Sequence, residues 1–258
     1  MINTDKEEKL LRKRLIEQSN VAFNKGICVF SDFLNLHEQN LFLGLKRELP
    51  AIKYFSFGGF ADAERKMICF CGDDSIEDLA DIDFPISCLK ISPVNQKFSS
   101  SLSHRDFLGS ILGLGIERSR VGDILVKDNE GFAFVNNQIS NYLIDNLRQV
   151  RHTSVYCSPI ELNDFDYKPE FKEITGTVSS IRLDSILALA LGKSRSSLKG
   201  LIEGGKVFVG GRLIQSGSYV LDENDIVSVR GFGRFIYCGT SYQTKKGRYS
   251  VRILLYKS

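Results

Sequence analysis

The stretch from Ile181 to Val229 constrains the fold of this chain more than any other part of its sequence. Its first half contains two short apolar patterns at helical spacing, the first ending at Gly192 and the second at Gly204-Gly205. Its second half begins with Val207-Phe208-Val209 and continues through a Gly-Gly pair, which is typical of a strand and a tight turn. The stretch therefore predicts two short helices followed by a small sheet.

Positive charge collects at the predicted starts of these two helices. Ser194 is the candidate N-cap of the second helix, and Asp184 is either the N-cap or a first-turn acid of the first. The cations around the two starts are Arg182, Lys193, Arg195 and Lys199. Because cations there oppose the helix dipole, helix stability does not explain them. A polyanion bound at both helix starts would explain them.

Three motifs in this stretch resemble the signature of the S-four RNA-binding domain. They are Arg182-Leu183-Asp184, Ser194-Arg195 and Gly205-Lys206-Val207-Phe208-Val209-Gly210-Gly211. Gly210 stands where the family usually has Asn, and a turn accepts it because glycine adopts positive φ freely. The resemblance implies that Arg182 and Arg195 contact RNA, since guanidinium groups bind phosphate in a bidentate way. An ion pair between Arg182 and Asp184 is the alternative.

The other predicted RNA contacts of this module are cations and a hydroxyl near the same motifs, namely Lys193, Ser194, Lys199, Lys206 and Arg212. Lys245 and Lys246 lie in a basic loop of a predicted C-terminal hairpin, which either contacts phosphate or is a solvated turn. From Gly176 to Ser258 the chain has 13 Lys and Arg against 5 Asp and Glu, whereas the remainder has 21 against 26. A basic C-terminal third joined to an acidic remainder of the chain indicates nucleic-acid binding. A solvated basic surface without a ligand is the alternative.

The rest of the sequence predicts an α+β fold with two more modules. Residues 1–75 read as an N-terminal α+β domain, with a helix from Thr4 to Asn24 and a second helix capped by Ser31 or Asp32. Residues 76–160 follow the order βαββαβ, which is the split ferredoxin-like unit of RNA-recognition modules. Residues 161–180 are polar and acidic and are predicted to be a connector to the S-four-like domain at 181–258.

Two aromatic residues of the middle module, Phe132 and Phe134, alternate as a base-stacking platform would. Aromatic residues in strands more often lie in a core, so burial is the favoured interpretation. No apolar run in the 258 residues approaches the roughly 20 that a membrane span needs, and the six cysteines are scattered. These features predict a cytoplasmic protein with reduced thiols and no membrane partner.

Further motifs resemble the YlmH family of bacterial ribosome-associated proteins. They are Phe30-Ser31-Asp32-Phe33-Leu34, Ala63-Glu64-Arg65, His104-Arg105-Asp106-Phe107-Leu108-Gly109 and Leu114-Gly115-Ile116-Glu117-Arg118. The resemblance implies a quality-control protein that binds ribosomal RNA of the large subunit and peptidyl-tRNA, together with other quality-control factors. It also implies support of C-terminal tailing of a stalled nascent chain. Arg105 and Arg118 are added to the predicted RNA contacts, and a cell-division scaffold remains an alternative.

Several patterns that could indicate catalysis are incomplete. His104-Arg105-Asp106 contains a possible acid–base pair without an identifiable third partner, so a helix N-terminal turn is favoured. Gly192-Lys193-Ser194 lacks the glycine of a phosphate loop, because Leu187 occupies that position. Cys69-Phe70-Cys71 has no second pair at zinc spacing. The sequence therefore predicts no enzyme, cofactor or metal; an RNA-modifying enzyme anchored by the S-four-like module is the alternative.

Overall fold

The computed structural model describes residues 2–95, 101–162, 165 and 170–256. The chain divides into two compact units, Met1–Asp166 and Tyr167–Ser258. The architecture mixes helices and sheets in both units, as the sequence predicts.

The first unit begins with two helices and a three-stranded antiparallel sheet in the order β1-β3-β2. The elements are α1 (Ile2–Lys25), β1 (Cys28–Phe30), α2 (Leu36–Leu45), β2 (Lys53–Phe57) and β3 (Met67–Cys71). Helix α2 starts later than predicted, because Asn35 caps it in a capping box with Glu38. Ser31 and Asp32 do not cap it: the Ser31 hydroxyl accepts the amide of Ile68 at 2.9 Å, and Asp32 pairs with arginine side chains.

The predicted βαββαβ module follows in the same unit. Its elements are β4 (Ile86–Pro93), α3 (His104–Gly113), β5 (Val121–Lys127), β6 (Glu130–Asn136), α4 (Asn137–Asn146), β7 (Gln149–Val150) and β8 (Thr153–Ile160). The antiparallel sheet has the order β5-β6-β4-β8-β7. Its first strand lies between its third and its last long strand, which is the split ferredoxin-like arrangement. Helices α3 and α4 bury Phe107, Ile111 and Leu143 on one face of this sheet.

The opposite face of the same sheet is partly covered by the N-terminal sheet. Phe134 is 0% exposed, with ring centroids 4.9 Å from Phe60 and 5.0 Å from Phe165, and it shares one apolar cluster with Phe33 and Met67. Phe134 is therefore a core residue rather than a stacking platform. The N-terminal and middle segments belong to one compact unit, and each also has an apolar cluster of its own on its side of the predicted boundary near residue 75.

The second unit contains two helices on a six-stranded sheet of order β11-β10-β12-β13-β14-β9. The elements are β9 (Phe171–Val178), α5 (Leu183–Leu191), α6 (Arg195–Glu203), β10 (Val207–Val209), β11 (Arg212–Leu213), β12 (Asp225–Val229), β13 (Gly233–Gln243) and β14 (Tyr249–Tyr256). The helices bury apolar residues such as Ile186, Leu187 and Leu198 on this sheet.

Strand β9 corrects the prediction of a connector over residues 161–180. It pairs with β14 from Tyr249↔Val178 to Tyr256↔Phe171 and forms an edge of the sheet. Because only Val178 is fully buried in this strand, the apolar periodicity that would have indicated it is weak. Of the predicted connector, 163–164 and 166–169 lie outside the described residues.

The local signals of the S-four-like stretch are confirmed. Gly192 ends α5 with φ +61°, a conformation that glycine adopts without strain. Ser194 caps α6 and accepts the amide of Ser197 at 3.3 Å. Among the described residues, no helix has the length and apolar character needed to cross a membrane.

Candidate nucleic-acid interface

Arg182 and Arg195 meet at a single carboxylate, that of Asp184. Arg182 is the N-cap residue of α5, Asp184 lies in the first turn of α5, and Arg195 is the first residue of α6. The Arg195 Nε donates to Asp184 Oδ2 at 3.2 Å, and its Nη2 donates to the same oxygen. The Arg182 Nε lies 3.9 Å from Asp184 Oδ1, an ion pair without a hydrogen bond. The two helix starts are thus joined by one carboxylate and two guanidinium groups.

The exposure of these three side chains differs in a way that matters for binding. Asp184 is 17% exposed, whereas the side chains of Arg182 and Arg195 are 44% and 48% exposed. A guanidinium carries five N–H donors, and Asp184 uses two of those of Arg195. The alternative of an Arg182–Asp184 ion pair is therefore correct, but the pairing leaves both cations at the surface.

The charge state of Asp184 follows from its neighbours. Burial alone would raise the pKa of Asp184, but the hydrogen bond and positive charge of Arg195, the Ser185 hydroxyl and the charge of Arg182 outweigh it. The net effect is a pKa below the ordinary value. Asp184 is therefore an anion at neutral pH, which binds the guanidinium of Arg195 by hydrogen bonds and attracts that of Arg182.

A cavity of about 510 Å³ opens beside this trio. Its polar lining includes Arg182, Asp184, Arg195, Ser196, Lys199, Glu203, Gln215, Ser216 and Ser218. Lys199 brings a third cation, which lies 3.7 Å from Glu203 one helical turn on. Three cations against two carboxylates give the cavity a positive balance suited to an anionic ligand.

The 214–220 segment was missed at the sequence level and supplies one wall of the cavity. The backbone carbonyl of Gly217 accepts the amide of Asp184 at 3.1 Å, and that of Tyr219 accepts the amide of Leu183 at 2.8 Å. A side chain on residue 217 would press on Asp184, since an added Cβ would lie 3.2 Å from the Asp184 Cβ. The Ser-Gly-Ser sequence there reads only as a turn, so its role in placing Asp184 is visible only in three dimensions.

The remaining predicted contacts of the second unit lie outside the lining of this cavity. Lys193 places its Nζ 4.8 Å from the ring centroid of Phe232. The Ser194 hydroxyl is engaged in capping α6. Exposed positions are occupied by Lys206 before β10, Arg212 on β11, and Lys245 and Lys246 in the β13–β14 turn.

The two predicted contacts of the first unit have different environments. Arg105 is exposed in the first turn of α3. Arg118 is half-buried and donates to the carbonyls of Val121 and Gly122, and burial lowers its pKa to about 10. The structure favours a structural role for Arg118 over the predicted RNA contact, because its guanidinium donates to internal carbonyl groups.

The possible acid–base pair at the start of α3 is accounted for by capping. The Asp106 carboxylate accepts both the amide and the hydroxyl of Ser103, at 2.8 and 2.7 Å, and these bonds lower the pKa of Asp106. Arg151 lies 3.6 Å from the same carboxylate. Within the described parts of the chain, no group of three or more His, Cys, Asp or Glu could hold a metal ion.

Two family models match parts of this chain. A family model described as "Putative RNA-binding domain in YlmH" matches residues 80–164, which span the βαββαβ module. The S4 domain model, that of the S-four domain, matches residues 181–227. The chain therefore combines a YlmH-type domain with a C-terminal S-four domain, the two-domain class that the fold and the arginine pair indicate.

The chain is also similar to two known proteins. "Ribosome-associated protein quality control protein P2" of Bacillus subtilis (strain 168) is 28% identical over 247 residues, covering 95% of this chain and 94% of the relative. A solved structure, "Cell division protein ylmH from Streptococcus pneumoniae", is 24% identical, covers 62% of this chain and 95% of that chain, and superposes with a TM-score of 0.49. The resemblance to the YlmH family inferred from the motifs is confirmed.

Proposed function

We propose that this chain is a non-enzymatic, cytoplasmic RNA-binding protein that associates with the large ribosomal subunit. It contacts ribosomal RNA and peptidyl-tRNA there, acts in the quality control of stalled translation, and supports C-terminal tailing of the nascent chain.

The observation that carries the proposal is the arginine pair at Asp184. Arg195 is held by hydrogen bonds to a nearly buried carboxylate and Arg182 forms an ion pair with it, yet each remains about half exposed beside a cavity of positive balance. Fixed guanidinium groups match the geometry of phosphate oxygens and lose little conformational freedom on binding. Lys199 extends the same face with a charge that adds affinity but no sequence preference.

The ribosomal assignment is supported by the relatives. The curated relative that covers nearly the whole chain is named as a ribosome-associated quality-control protein. The basic C-terminal third and the S-four domain are the features that structured RNA would engage.

Co-sedimentation with purified ribosomal subunits tests this proposal. We expect Arg182→Ala with Arg195→Ala to remove the chain from the large-subunit fraction at moderate salt, because two phosphate contacts are lost. The charge-matched control is Lys172→Ala with Arg252→Ala, which removes two exposed cations of β9 and β14 that do not line the cavity. The control should sediment as the unsubstituted chain does.

Two results would contradict the proposal. One is a double arginine variant that folds normally and still sediments with large subunits. The other is an unsubstituted chain that sediments only with the small subunit or with neither.

A further inference from the structure

An exposed aromatic ring stands next to the cations of the second unit, outside the segment matched by the S-four domain model. Phe232 lies in the short turn between β12 and β13 and is 41% exposed. The turn bends at Gly231, with φ +87°, and ends at Gly233, with φ +100°. The backbone amide of Phe232 donates to the carbonyl of Val229 at 2.9 Å. Glycines on both sides and this bond present the ring at the surface.

The cations around the ring set the chemistry of what it can bind. Lys193 Nζ lies 4.8 Å from the ring centroid, within the range of a cation–π contact. Arg230 is exposed in the same turn, and its backbone amide donates to the carbonyl of Lys206 at 2.9 Å. A single exposed Phe is ordinary on a protein surface. A Phe with an ammonium group over its ring and an exposed arginine in the same turn favours a ligand that combines flat rings with negative charge.

The position of Lys193 connects this ring to the arginine pair. Lys193 follows Gly192, the residue that ends α5, and its amide donates to the carbonyl of Ala188 at 3.1 Å. Two residues later, Arg195 begins α6. One short turn of the backbone therefore supplies both a guanidinium at Asp184 and an ammonium over Phe232.

We propose that Phe232 is a stacking site for an unpaired nucleobase, with Lys193 and Arg230 contacting the flanking phosphates. The base stacks on the ring face turned away from Lys193, as bases do on aromatic side chains of proteins that bind single-stranded RNA. The site selects RNA that has an unpaired nucleotide beside the phosphates held by Arg182 and Arg195. This inference rests on the proposed RNA-binding function and adds a substrate feature to it.

A tryptophan reporter tests the site in the full-length chain. The chain contains no tryptophan, so Phe232→Trp introduces a single fluorophore at the proposed site. The probes are an RNA hairpin with a loop of unpaired adenosines and a blunt duplex of the same stem. We expect the hairpin to quench the tryptophan in step with binding and the duplex to leave its intensity unchanged. Tyr242→Trp, at a 64% exposed position of β13, is the positional control and should not respond.

An affinity measurement separates stacking from a structural role. Phe232→Leu keeps an apolar side chain in the turn but removes the aromatic face. We expect it to weaken binding of the loop hairpin about tenfold and of the duplex less than about twofold. Equal weakening of both RNAs, or an unquenched tryptophan at saturating hairpin, would overturn the stacking site.

The outcomes also distinguish this inference from the proposed function. If binding of both probes requires Arg182 and Arg195 but is indifferent to Phe232, the stacking site is wrong and the RNA-binding function stands. If the unsubstituted chain binds neither probe, both the stacking site and the proposed RNA-binding function are wrong.

Discussion

At the residue scale, the decisive group is Asp184, which makes the two helix starts into one site. Its pKa lies below the ordinary value because the cations beside it outweigh the effect of burial. A carboxyl group whose pKa falls on folding stabilises the native state above the unfolded pKa of about 4, and this contribution is lost as the pH falls through the folded pKa. The charge of Asp184 therefore joins the two helix starts and also makes the stability of the native state depend on pH in acid.

Asp184→Asn should lower the free energy of unfolding near pH 7 by about 2 kcal/mol, because the charge-assisted bonds from Arg195 are weakened. It should also flatten the loss of stability below about pH 4, since the titrating group is gone. Urea unfolding at a series of pH values measures both. Asp222→Asn, at an exposed carboxylate of the same unit, should change stability little; equal losses for the two variants would contradict the role of Asp184.

Arg118 and Arg105 offer a second comparison at this scale. We expect Arg118→Ala to destabilise the chain by about 2 kcal/mol, because the carbonyl of Gly122 loses the Arg118 donor and that of Val121 keeps only Arg65 Nε. Its affinity for RNA, measured where the variant is folded, should not change. Arg105→Ala, at an exposed site, should leave stability unchanged. An Arg118 variant that is stable but deficient in RNA binding would restore the original sequence prediction.

At the element scale, the three-stranded N-terminal sheet closes part of the face that RNA-recognition modules leave open. Gly59, with φ +99°, lies against Phe134, and an added Cβ would come within 2.2 Å of that ring. We expect Gly59→Ala to cost about 3 kcal/mol through backbone strain and overpacking. Gly115→Ala has a similar φ of +83° and open space around it, so it should cost only about 1 kcal/mol. Thermal unfolding distinguishes the two, and equal costs would show that contact with Phe134 does not matter.

The sequence predicts elements well where local chemistry decides them. Gly192 and Ser194 were assigned correctly because stops and caps act within a few residues. Strand β9 was missed because it is an edge strand with little buried surface, paired with β14 more than 70 residues later. The cap of α2 was misplaced because Ser31 and Asp32 are engaged by groups distant in sequence. In the site, motifs indicated both arginines, but no local signal placed Gly217 or the ring of Phe232.

At the scale of the whole molecule, the chain has two units where the sequence suggested three modules. One apolar cluster with Phe33, Met67 and Phe134 crosses the predicted boundary near residue 75, while each side also has a cluster of its own. The sequence pattern of each segment accounts for its own helices and strands, so neither pattern indicates that the two segments share an apolar cluster.

The position of β9 predicts which fragment of the second unit folds. A fragment of residues 170–258 retains the pairing of β9 with β14 and should unfold cooperatively. A fragment that starts at residue 181, the predicted boundary, exposes one edge of β14 and loses Val178 from the core. We expect the shorter fragment to aggregate or to melt at a lower temperature, as followed by circular dichroism. Equal melting would show that β9 is dispensable.

The salt dependence of RNA binding tests the central claim most directly, because it counts phosphate contacts. Each contact contributes about 0.7–0.9 to the slope of log affinity against log salt concentration. For the full chain on a structured RNA, Arg182→Ala with Arg195→Ala should reduce this slope by roughly 1.5, while Lys172→Ala with Arg252→Ala leaves it unchanged. An arginine variant with the slope of the unsubstituted chain would show that the guanidinium pair at Asp184 does not hold RNA.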